Sequence, residues 1–452
     1  VILVARIRPK FSKTEESQIK TARSLWAWIH RTVRRGASMT AGKSQGLLTG
    51  YKVLDFTQIV AGPTTTKLMA EMGAEVIKVE QAPKGDPARL NPVIRKGRSA
   101  YFLQHNLGKH SLCVNLKVEA GRDIVRALIP HMDVVVENYS PGVMARMGFA
   151  YDDLKKLNPK LVMCSISALG QTGPLAHLPG FDYIAQAFAG ITEVMGEPDQ
   201  PPVIPMEAIG DVSTGVHGLA GIACALLHRE RTGEGQYIDV SLLDSYIHTH
   251  DFSLQTYTAS KGKFVPSRGG SHHTGLTPTG VFRAAQGKYV LLIAALEHQW
   301  QGLVRAMGRP ELANDPRFSD VRKRLKNKNS LIAEIELWLQ SLPDRETALA
   351  ALERERVPAA PVLTIPEVIT HPHLVERGTV RPMSDPVLGD FVLPGFPFRF
   401  STAPAPDKVT APDLGEHNRA VLEQYLKYDE VRISQLTAAG VLVSRRTPRE
   451  DA

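Results

Sequence analysis

Cysteine is scarce in this sequence, and no two cysteines are close together. The three residues, Cys113, Cys164 and Cys224, form no C-x-x-C pair. A small, odd number of scattered cysteines argues against a disulfide framework and against a zinc site, so we expect no bound metal. The cysteine usage favours a reducing compartment, and we expect the protein to be cytoplasmic.

Long apolar runs are missing as well. The longest, around residues 219–227, is about half the ~18 to 20 residues that a membrane-spanning helix needs. We therefore expect no membrane span and no membrane partner. An apolar content of 43% and a charged content of 22% are ordinary for a globular chain of two or three domains.

Positive charge is in excess only at the N-terminus. The formal net charge is +8, and residues 1–38, with nine Lys or Arg against two Glu, supply +7 of it. The nearly neutral remainder argues against nucleic acid as a partner. Residues 1–38 are interpreted as an organellar targeting peptide, a basic membrane-surface segment, or upstream sequence not native to the protein. We favour the last; the first would make the protein mitochondrial.

A dinucleotide-binding motif is also absent, although the chain alternates between strands and helices. Apolar, β-branched strands are predicted at 52–56, 74–79, 111–116, 133–136 and 161–166, with helices at 64–72, 121–132 and 141–147. This pattern predicts an α/β fold with a mostly parallel sheet covered on both faces. Glu80 lies where a dinucleotide fold places its ribose-binding acid. The first turn, residues 59–64, lacks G-x-G-x-x-G, so NAD binding is disfavoured.

Changes in composition and in the predicted elements along the chain suggest its division into domains. Residues 1–45 form the basic extension and 46–250 the large domain. Residues 251–371 are predicted to form a smaller α+β domain, because loops and a strand are followed by helices. The proline-dense stretch suggests an extended strap at 372–428 that returns to the large domain, followed by a tail at 429–452.

The stretch from Ala208 to Gly218 places Asp211 before a predicted helix at 213–229. Three glycines spaced by three residues in that helix allow another backbone to approach closely, at a cost of ~1 kcal/mol each in helix propensity. Asp211 has two interpretations. It is a helix cap, or it is a nucleophile that helix N–H groups keep ionised and that attacks a carbonyl carbon.

Several motifs together resemble the family III CoA-transferases, the formyl-CoA and L-carnitine CoA-transferase type, whose superfamily includes α-methylacyl-CoA racemase. The resemblance runs from about Gly46 to the Leu414–His417 element. The matching segments, in order, are Val53–Pro63, Gly73–Glu80, Val136–Gly142, Arg146–Gly148, Gly180–Asp182, Ile209–Asp211 and Thr232–Gln236.

The resemblance implies an interlocked homodimer whose subunits each have a Rossmann-like, CoA-binding large domain and a small domain. It makes Asp211 the nucleophile that forms mixed anhydrides and an aspartyl-CoA thioester. CoA is then the transferred group, acyl-CoA and a carboxylic acid are the substrates, and no permanently bound cofactor or metal is needed.

Residue by residue, the resemblance implies a set of CoA contacts, of which Arg146 suits the ADP phosphates best. Gly269 and Gly270 resemble the glycine loop that covers the aspartyl-CoA intermediate. The neighbouring His272 and His273 are interpreted as solvated loop residues. The implied CoA contacts are Val60, Ala61, Val114, Lys117, Asn138, Arg146, Met147 and Asp182. If the resemblance is set aside, Val114 is interpreted as a core residue, and Lys117 and Arg146 are interpreted as solvated charges.

Departures from the family narrow the activity. Racemases have a proton-transferring histidine at the position of Phe181, which cannot transfer a proton, so racemisation is disfavoured. The oxalate-active type has glutamine at Val60 and basic residues at Gln81 and Pro179. We expect CoA transfer between a short- or medium-chain acyl-CoA and a carboxylic acid, such as a dicarboxylate. A CoA-ester racemase or isomerase, and a non-catalytic CoA-binding partner subunit, stay as alternatives.

Overall fold

A computed structural model describes residues 46–403 and 410–446. The basic extension, residues 1–45, and the stretches 404–409 and 447–452 lie outside the described residues. The strands are β1 (Lys52–Asp55), β2 (Glu75–Gln81), β3 (Ile94–Arg95), β4 (Arg98–Ser99), β5 (His110–Val114), β6 (Val134–Glu137), β7 (Val162–Ser167), β8 (Tyr237–Ser241), β9 (Thr279–Arg283), β10 (Tyr289–Ile293), β11 (Ala359–Pro361), β12 (Val380–Asp385) and β13 (Gly389–Pro394).

The α-helices of the described residues are mostly short, and one is much longer than the others. They are α1 (Ala61–Glu71), α2 (Ala100–His105), α3 (Glu119–Leu128), α4 (Val143–Arg146), α5 (Tyr151–Leu157), α6 (Asp182–Phe188), α7 (Ile209–Thr232), α8 (Leu242–His248), α9 (Ser253–Ala259), α10 (Glu297–Ala306), α11 (Val321–Lys326), α12 (Lys328–Ser341), α13 (Arg345–Arg354), α14 (Ile365–Thr370), α15 (Pro372–Glu376), α16 (Asn418–Leu426) and α17 (Glu430–Ala438).

The chain forms two compact units. The first contains the residues up to Pro179, Asp211–Ser241, and the chain from Ile365 onward; the second contains Gly180–Gly210 and Leu242–Thr364. Residues 180–210, which the sequence-based division places in the large domain, therefore group with the second unit. The second unit is built from two separate stretches of chain.

A six-stranded parallel sheet organises the first unit, in the order β5-β2-β1-β6-β7-β8. Its central strands are apolar and β-branched, and Val53, Leu54 and Val134–Val136 have no exposed surface. Burial on both faces is typical of parallel sheets. The predicted α/β fold with a mostly parallel sheet is confirmed. The strand order reverses at β1, because β2 and β5 lie on one side of it and β6, β7 and β8 on the other.

Helix α1 begins at Ala61, three residues before its predicted start. Pro63 is the third residue of the helix, where a missing N–H leaves no intrahelical bond unmade. Thr64 donates its backbone N–H to the Val60 carbonyl over 2.8 Å, the first bond of the helix. The predicted start of this helix at residue 64 is therefore three residues too late, because Pro63 lies inside the helix and not before it.

Helix α7 packs closely against α1 within the first unit. A Cβ at Gly215 would lie 2.6 Å from the Ala61 carbonyl oxygen, and one at Gly218 would lie 2.9 Å from Thr65 Oγ1. The Thr65 hydroxyl donates to the Gly215 carbonyl across the contact, over 2.7 Å. The close backbone approach predicted from the glycine spacing is present at these two positions.

Helix α7 is long and apolar enough to span a membrane by length and composition alone. Its most apolar 18-residue window has a mean hydropathy of 1.3, and 44% of that window is buried inside the protein. One face of the helix lies against α1, and the side of Gly221 lies against Ile238 of β8. These contacts are typical of a core helix in an α/β fold.

An antiparallel sheet of three strands, β11-β10-β9, lies in the second unit. Along β10, Val290 and Leu292 are buried and the residues between them are exposed, the alternation expected of a sheet with one covered face. The covered face packs on apolar side chains of α10, α12 and α13, including Trp300, Leu331 and Leu352.

The proline-rich stretch contains more regular structure than an extended strap. Strands β12 and β13 pair as an antiparallel hairpin within it. The described part of the predicted tail, residues 429–446, is not a loose end: α17 packs Ile433 into the core of the first unit together with Val441 and Leu442.

Residues 410–446, the C-terminal segment, cover the outer strand β5. Asn115 donates its N–H to the Val441 carbonyl over 2.8 Å, and Val443 donates to the Cys113 carbonyl over 3.2 Å. The side chain of Asn418 accepts the Cys113 N–H over 2.8 Å. Backbone groups at this end of the sheet therefore have partners within the chain.

We expect Gly215→Ala to destabilise the first unit by about 1 to 3 kcal/mol, because the added methyl group overlaps α1. Gly221→Ala is the matched control in the same helix. Its new Cβ would lie 3.3 Å from Ile238, and the gain of ~1 kcal/mol in helix propensity offsets this tighter contact. Chemical denaturation of both variants measures the difference, and equal midpoints would contradict the tight contact at Gly215.

Candidate active site

The carboxyl ends of β1 and β6 meet where the strand order reverses. Gln58 donates its backbone N–H to Asn138 Oδ1 over 2.7 Å, and Asn138 Nδ2 donates back to the Gln58 carbonyl over 2.9 Å. Ligands of open parallel sheets bind in the crevice at such a reversal. The structure places Asn138 at this crevice, with its amide joining the two loops.

The first turn of α1 begins at the same crevice. Val60 is the N-cap residue and makes no side-chain capping bond, and the first turn has no acidic residue. The first N–H groups of a helix lack intrahelical acceptors and favour an anion. Val60 and Ala61 are only 4% and 5% exposed. A ligand would therefore meet their backbone rather than their side chains.

Asp211 lies within the first turn of α7, which begins at Ile209. It is therefore not the residue that precedes the helix, as the capping interpretation requires. The helix starts four residues before the predicted Ser213, and an acid in its first turn is still stabilised by the helix dipole. The Asp211 side chain is partly exposed, so it is not sealed in the interior.

The second turn of α7 lies beside the first turn of α1 in the first unit. Gly215 contacts Ala61, and Gly218, further along α7, contacts Thr65, further along α1, so the two helices run in the same direction. Asp211 precedes Gly215 by about one helical turn, a rise of ~6 Å. It therefore lies about one turn before the level at which α1 begins, on the side that the positive end of α1 faces, and the positive ends of both helices favour a negative charge there.

A buried tyrosine holds the residue before Asp211 within the second unit. The Tyr246 hydroxyl accepts the Gly210 N–H over 3.1 Å and donates to Asp182 Oδ1. Burial and the neighbouring Asp182 raise the pKa of Tyr246. Asp182 is only 4% exposed. Its predicted contact with CoA would therefore need a change of conformation, since the carboxylate is enclosed beside Tyr246.

The other predicted CoA contacts differ in accessibility. Val114 has no exposed surface and packs in the core, so its side chain is not available to a ligand. Met147 is partly buried against the same core. Lys117 follows β5 and Arg146 ends α4, and both are exposed and follow the carboxyl ends of strands. These two cations are accessible to phosphate groups.

The predicted glycine loop is held against a turn in the second unit. Gly270 donates its N–H to the Gly196 carbonyl over 3.0 Å, and a side chain at Gly269 would overlap the carbonyl of His272. His272 packs edge-on against Phe282. His273 Nδ1 accepts the Gly275 and Leu276 N–H groups over 3.0 and 2.9 Å. Both histidines are partly exposed, so the interpretation as loop residues in contact with solvent stands, with His272 also packed and His273 also hydrogen-bonded.

Glu80 is buried and cannot bind a ribose. It is 2% exposed, and Arg89 donates to both of its oxygens over 2.7 Å. The Ser111 hydroxyl donates a further bond over 2.6 Å. Burial opposes the charged form, but Arg89, Lys78 and Ser111 together outweigh it and hold the pKa of Glu80 below its usual value. The NAD interpretation therefore fails at the residue that suggested it.

A second buried carboxyl, Glu137, lies at the carboxyl end of β6. It is 3% exposed and accepts the Tyr139 N–H over 2.8 Å. Burial raises the pKa of Glu137 to about 7, and hydrogen bonds from Ser165 and Tyr139 only partly oppose this effect. The folded protein therefore keeps a proton on Glu137 at pH values where the unfolded chain has lost it.

We expect Glu137→Gln to stabilise the protein relative to the wild type more at pH 8 than at pH 5, by roughly 1 to 3 kcal/mol. Because the pKa of Glu137 is higher in the folded protein than in the unfolded chain, the wild type loses stability as the pH rises from the unfolded pKa to about 7. Glutamine does not titrate, so the variant does not lose this stability. Urea denaturation of both proteins at the two pH values measures the effect. The exposed Glu234→Gln is the control, and a pH-independent difference for Glu137→Gln would contradict the buried proton.

Comparison with known proteins supplies a family for this geometry. The model of CoA-transferase family III matches residues 48–418. The chain is 34% identical over 403 residues to succinyl-CoA:glutarate CoA-transferase of Mus musculus, covering 88% of this chain and 91% of that protein. It is 38% identical over 390 residues to succinyl-CoA:mesaconate CoA-transferase of Haloarcula marismortui, covering 84% and 96%.

A third relative and a solved structure agree. The chain is 36% identical over 388 residues to acetyl-CoA:oxalate CoA-transferase of Acetobacter aceti, covering 85% of this chain and 97% of that protein. The crystal structure of a CAIB/BAIF family protein from Brucella suis is similar, with a TM-score of 0.75 and 33% identity. That match covers 84% of this chain and 100% of the Brucella chain.

Proposed function

Because this chain belongs to CoA-transferase family III, we propose that it transfers CoA from an acyl-CoA donor to a carboxylic acid through a covalent adduct on Asp211. The observation that carries this proposal is the position of Asp211. Its partly exposed carboxylate lies in the first turn of α7, about one turn before Gly215, which contacts the first turn of α1. A carboxylate in such a place stays ionised and is able to act as a nucleophile.

The proposed reaction proceeds through two exchanges. An Asp211 oxygen attacks the thioester carbonyl of the donor, and the CoA thiolate leaves a mixed anhydride on the enzyme. The thiolate then attacks the aspartyl carbonyl carbon, releasing the donor acid and forming an aspartyl-CoA thioester. The acceptor carboxylate repeats these steps in reverse order, which regenerates Asp211 and yields the new acyl-CoA. No net proton is gained or lost.

The two helix ends stabilise the charges that develop in these steps. Each step of the reaction passes through an oxyanion and releases a thiolate or a carboxylate. Helix N-termini attract such anions. The backbone of Val60 and Ala61 lies at the start of α1, and the exposed Lys117 and Arg146 offer cations for the phosphates of CoA. Asn138 acts by joining the loops around the crevice.

The substrates proposed are a short-chain acyl-CoA and a dicarboxylic acid longer than oxalate. The names of the relatives pair succinyl-CoA with glutarate or mesaconate, and acetyl-CoA with oxalate. Val60, Gln81 and Pro179 replace the glutamine and basic residues of the oxalate-active type, which supports a longer acceptor. CoA is the transferred group, and no bound metal takes part in the steps proposed.

Asp211→Asn is expected to reduce CoA transfer from succinyl-CoA to glutarate by a factor on the order of 10³ or more, because the amide cannot form the anhydride. Wild-type protein incubated with succinyl-CoA alone should carry CoA on the peptide that contains Asp211, as measured by mass spectrometry. Asp153→Asn, at an exposed aspartate of α5, is the control. An active Asp211→Asn variant, or an adduct on another peptide, would refute the proposal.

Two alternatives have distinguishable outcomes in the same preparation. A CoA-ester racemase or isomerase exchanges the α-hydrogen of a 2-methylacyl-CoA with deuterated water, whereas a transferase does not. Phe181, which stands at the racemase histidine position, is 76% exposed and carries no proton to transfer. A non-catalytic partner subunit would show no transfer when the purified chain is assayed alone.

An interlocked homodimer is the assembly we propose, and the outer face of α7 supports it. Residues 214, 215, 218, 219, 222, 225 and 226 of the helix are buried within the chain. The opposite face is apolar yet exposed, with Val212 at 46%, Val216 at 40% and Leu227 at 53%, and Ala220, Ala223 and Cys224 also lie on it. An apolar stripe on both sides of a helix indicates a second apolar partner.

The wild type is expected to sediment at about twice the 49.6 kDa mass of the chain, whereas Val216→Glu should shift the protein towards the monomer, since a charge would be buried against an apolar surface. Analytical ultracentrifugation measures both. Val321→Glu, at a 45% exposed position on α11, is the control. A monomeric wild type at micromolar concentration would contradict the dimer.

We also propose a cytoplasmic location. All three cysteines are free thiols, two of them buried, and a reducing compartment maintains such thiols. The mitochondrial alternative depends on residues 1–38.

A further inference from the structure

The backbone at Ile59, in the turn that leads into α1, is strained. Its φ angle is +67°, in the left-handed region that β-branched residues avoid. Glycine adopts this conformation freely, but isoleucine does so only when its surroundings determine it. Other contacts must therefore hold Ile59 in this conformation, and the conformation of the turn at the crevice depends on them.

Asp86 holds the strained residue from beneath. Its Oδ1 accepts the Ile59 N–H over 3.2 Å and the Ala88 N–H over 2.9 Å, and its Oδ2 lies 2.9 Å from Lys78 Nζ. Asp86 is 2% exposed. A buried carboxylate with an ammonium partner is a strong acceptor, so the bond to Ile59 is not readily replaced by water.

Lys78 extends the restraint to the other side of the turn. It has no exposed surface, and its ammonium donates to the Thr57 carbonyl over 2.7 Å. A second buried pair, Lys109 and Asp55, lies 2.9 Å apart, and Asp55 accepts the Thr57 N–H over 2.8 Å. The turn is therefore tied to buried charges at residues 57 and 59, on both sides of Gln58.

The energetics of this arrangement argue against a purely stabilising role. Two lysines and two aspartates are buried in one cluster, and replacing buried ion pairs by apolar side chains is often neutral or stabilising. A cluster that also maintains a strained residue gives little advantage in stability. It does fix the conformation of the turn that opens α1.

We propose that Asp86 is a positioning residue for the transfer reaction: by holding Ile59 in the left-handed conformation it orients the first N–H groups of α1 towards acyl-CoA. This inference rests on the proposed function. Asp86 does not touch the substrate. It acts through Ile59, and Lys78 acts through Asp86 and Thr57.

The test combines loss of the restraint with relief of the strain. Asp86→Ala should raise both the KM for acyl-CoA and the dissociation constant of CoA, measured by calorimetry, by roughly tenfold, with little change in the KM for the acceptor acid. Adding Ile59→Gly to Asp86→Ala should restore at least part of the affinity, because glycine adopts a positive φ without Asp86. Adding Ile59→Val instead should restore none.

Asp385→Ala is the matched control, because Asp385 has the same contacts elsewhere in the first unit. It accepts the N–H groups of Val387 and Leu388 over 2.9 and 3.0 Å, pairs with Arg98, and is 5% exposed. It should lower thermal stability as Asp86→Ala does and leave CoA affinity unchanged. Asp86→Asn is a second test in case the alanine variant folds poorly. Because asparagine keeps an acceptor oxygen, its CoA affinity should lie between those of the wild type and Asp86→Ala.

Either of two binding results would overturn the inference: unchanged CoA affinity in both folded Asp86 variants, or no recovery on adding Ile59→Gly. Hydrogen exchange separates these results from failure of the proposed function. Asp86→Ala should speed amide exchange in the peptide that spans Thr57 to Ala61, and Asp385→Ala should not, whether or not the wild type transfers CoA. A wild type that neither binds nor transfers CoA would refute the proposed function, and unchanged exchange in Asp86→Ala would refute the restraint itself.

Discussion

The close contact between α7 and α1 is the constraint on which the candidate site depends. Glycine at position 215 lets the two backbones approach until Thr65 bonds across them. Because the helices run in the same direction, their positive ends are adjacent. A larger residue would separate them, and Asp211 would no longer lie beside the start of α1. The position from which Asp211 is proposed to act thus depends on the absence of a side chain at Gly215.

Beneath this contact, buried charges hold the loops that no regular element controls. Asn138 joins the loops after β1 and β6. Burial opposes the charge of Lys78, but the nearby carboxylates, Asp86 and Asp55 among them, outweigh the burial and raise the pKa of Lys78. Hydrogen bonds to charged groups are stronger than neutral ones, particularly away from water. Such groups suit a turn whose conformation the backbone alone does not favour.

The sheet and the family could be predicted because their signals are local. Runs of β-branched residues placed β1, β2, β5, β6 and β7 to within about two residues, and the order of short motifs indicated the family. Tyr246 and Asp86 could not be found in this way, because their partners are brought to them by the fold. Charged residues inside two predicted apolar strands, Asp55 in 52–56 and Lys78 in 74–79, were local signals of the buried charges.

The predictions that failed did so where a local rule met tertiary context. Proline at position 63 suggests a break, yet the first turn of a helix accommodates it. The segment after residue 429 has no strong strand or helix pattern of its own, yet it packs on the core. Val114 matches a family contact by position, but its side chain packs in the core of the first unit.

The way the C-terminal segment completes the first unit has a consequence for how the protein is made. The core that begins with Leu54 is shared with Leu422 and Leu442, so a ribosome must synthesise the chain as far as Leu442 before that core can close. Most of the second unit lies in one continuous stretch, Leu242–Thr364, and can assemble while synthesis continues. The half of the molecule that begins first is therefore finished last, and its unpaired strands need protection in the meantime.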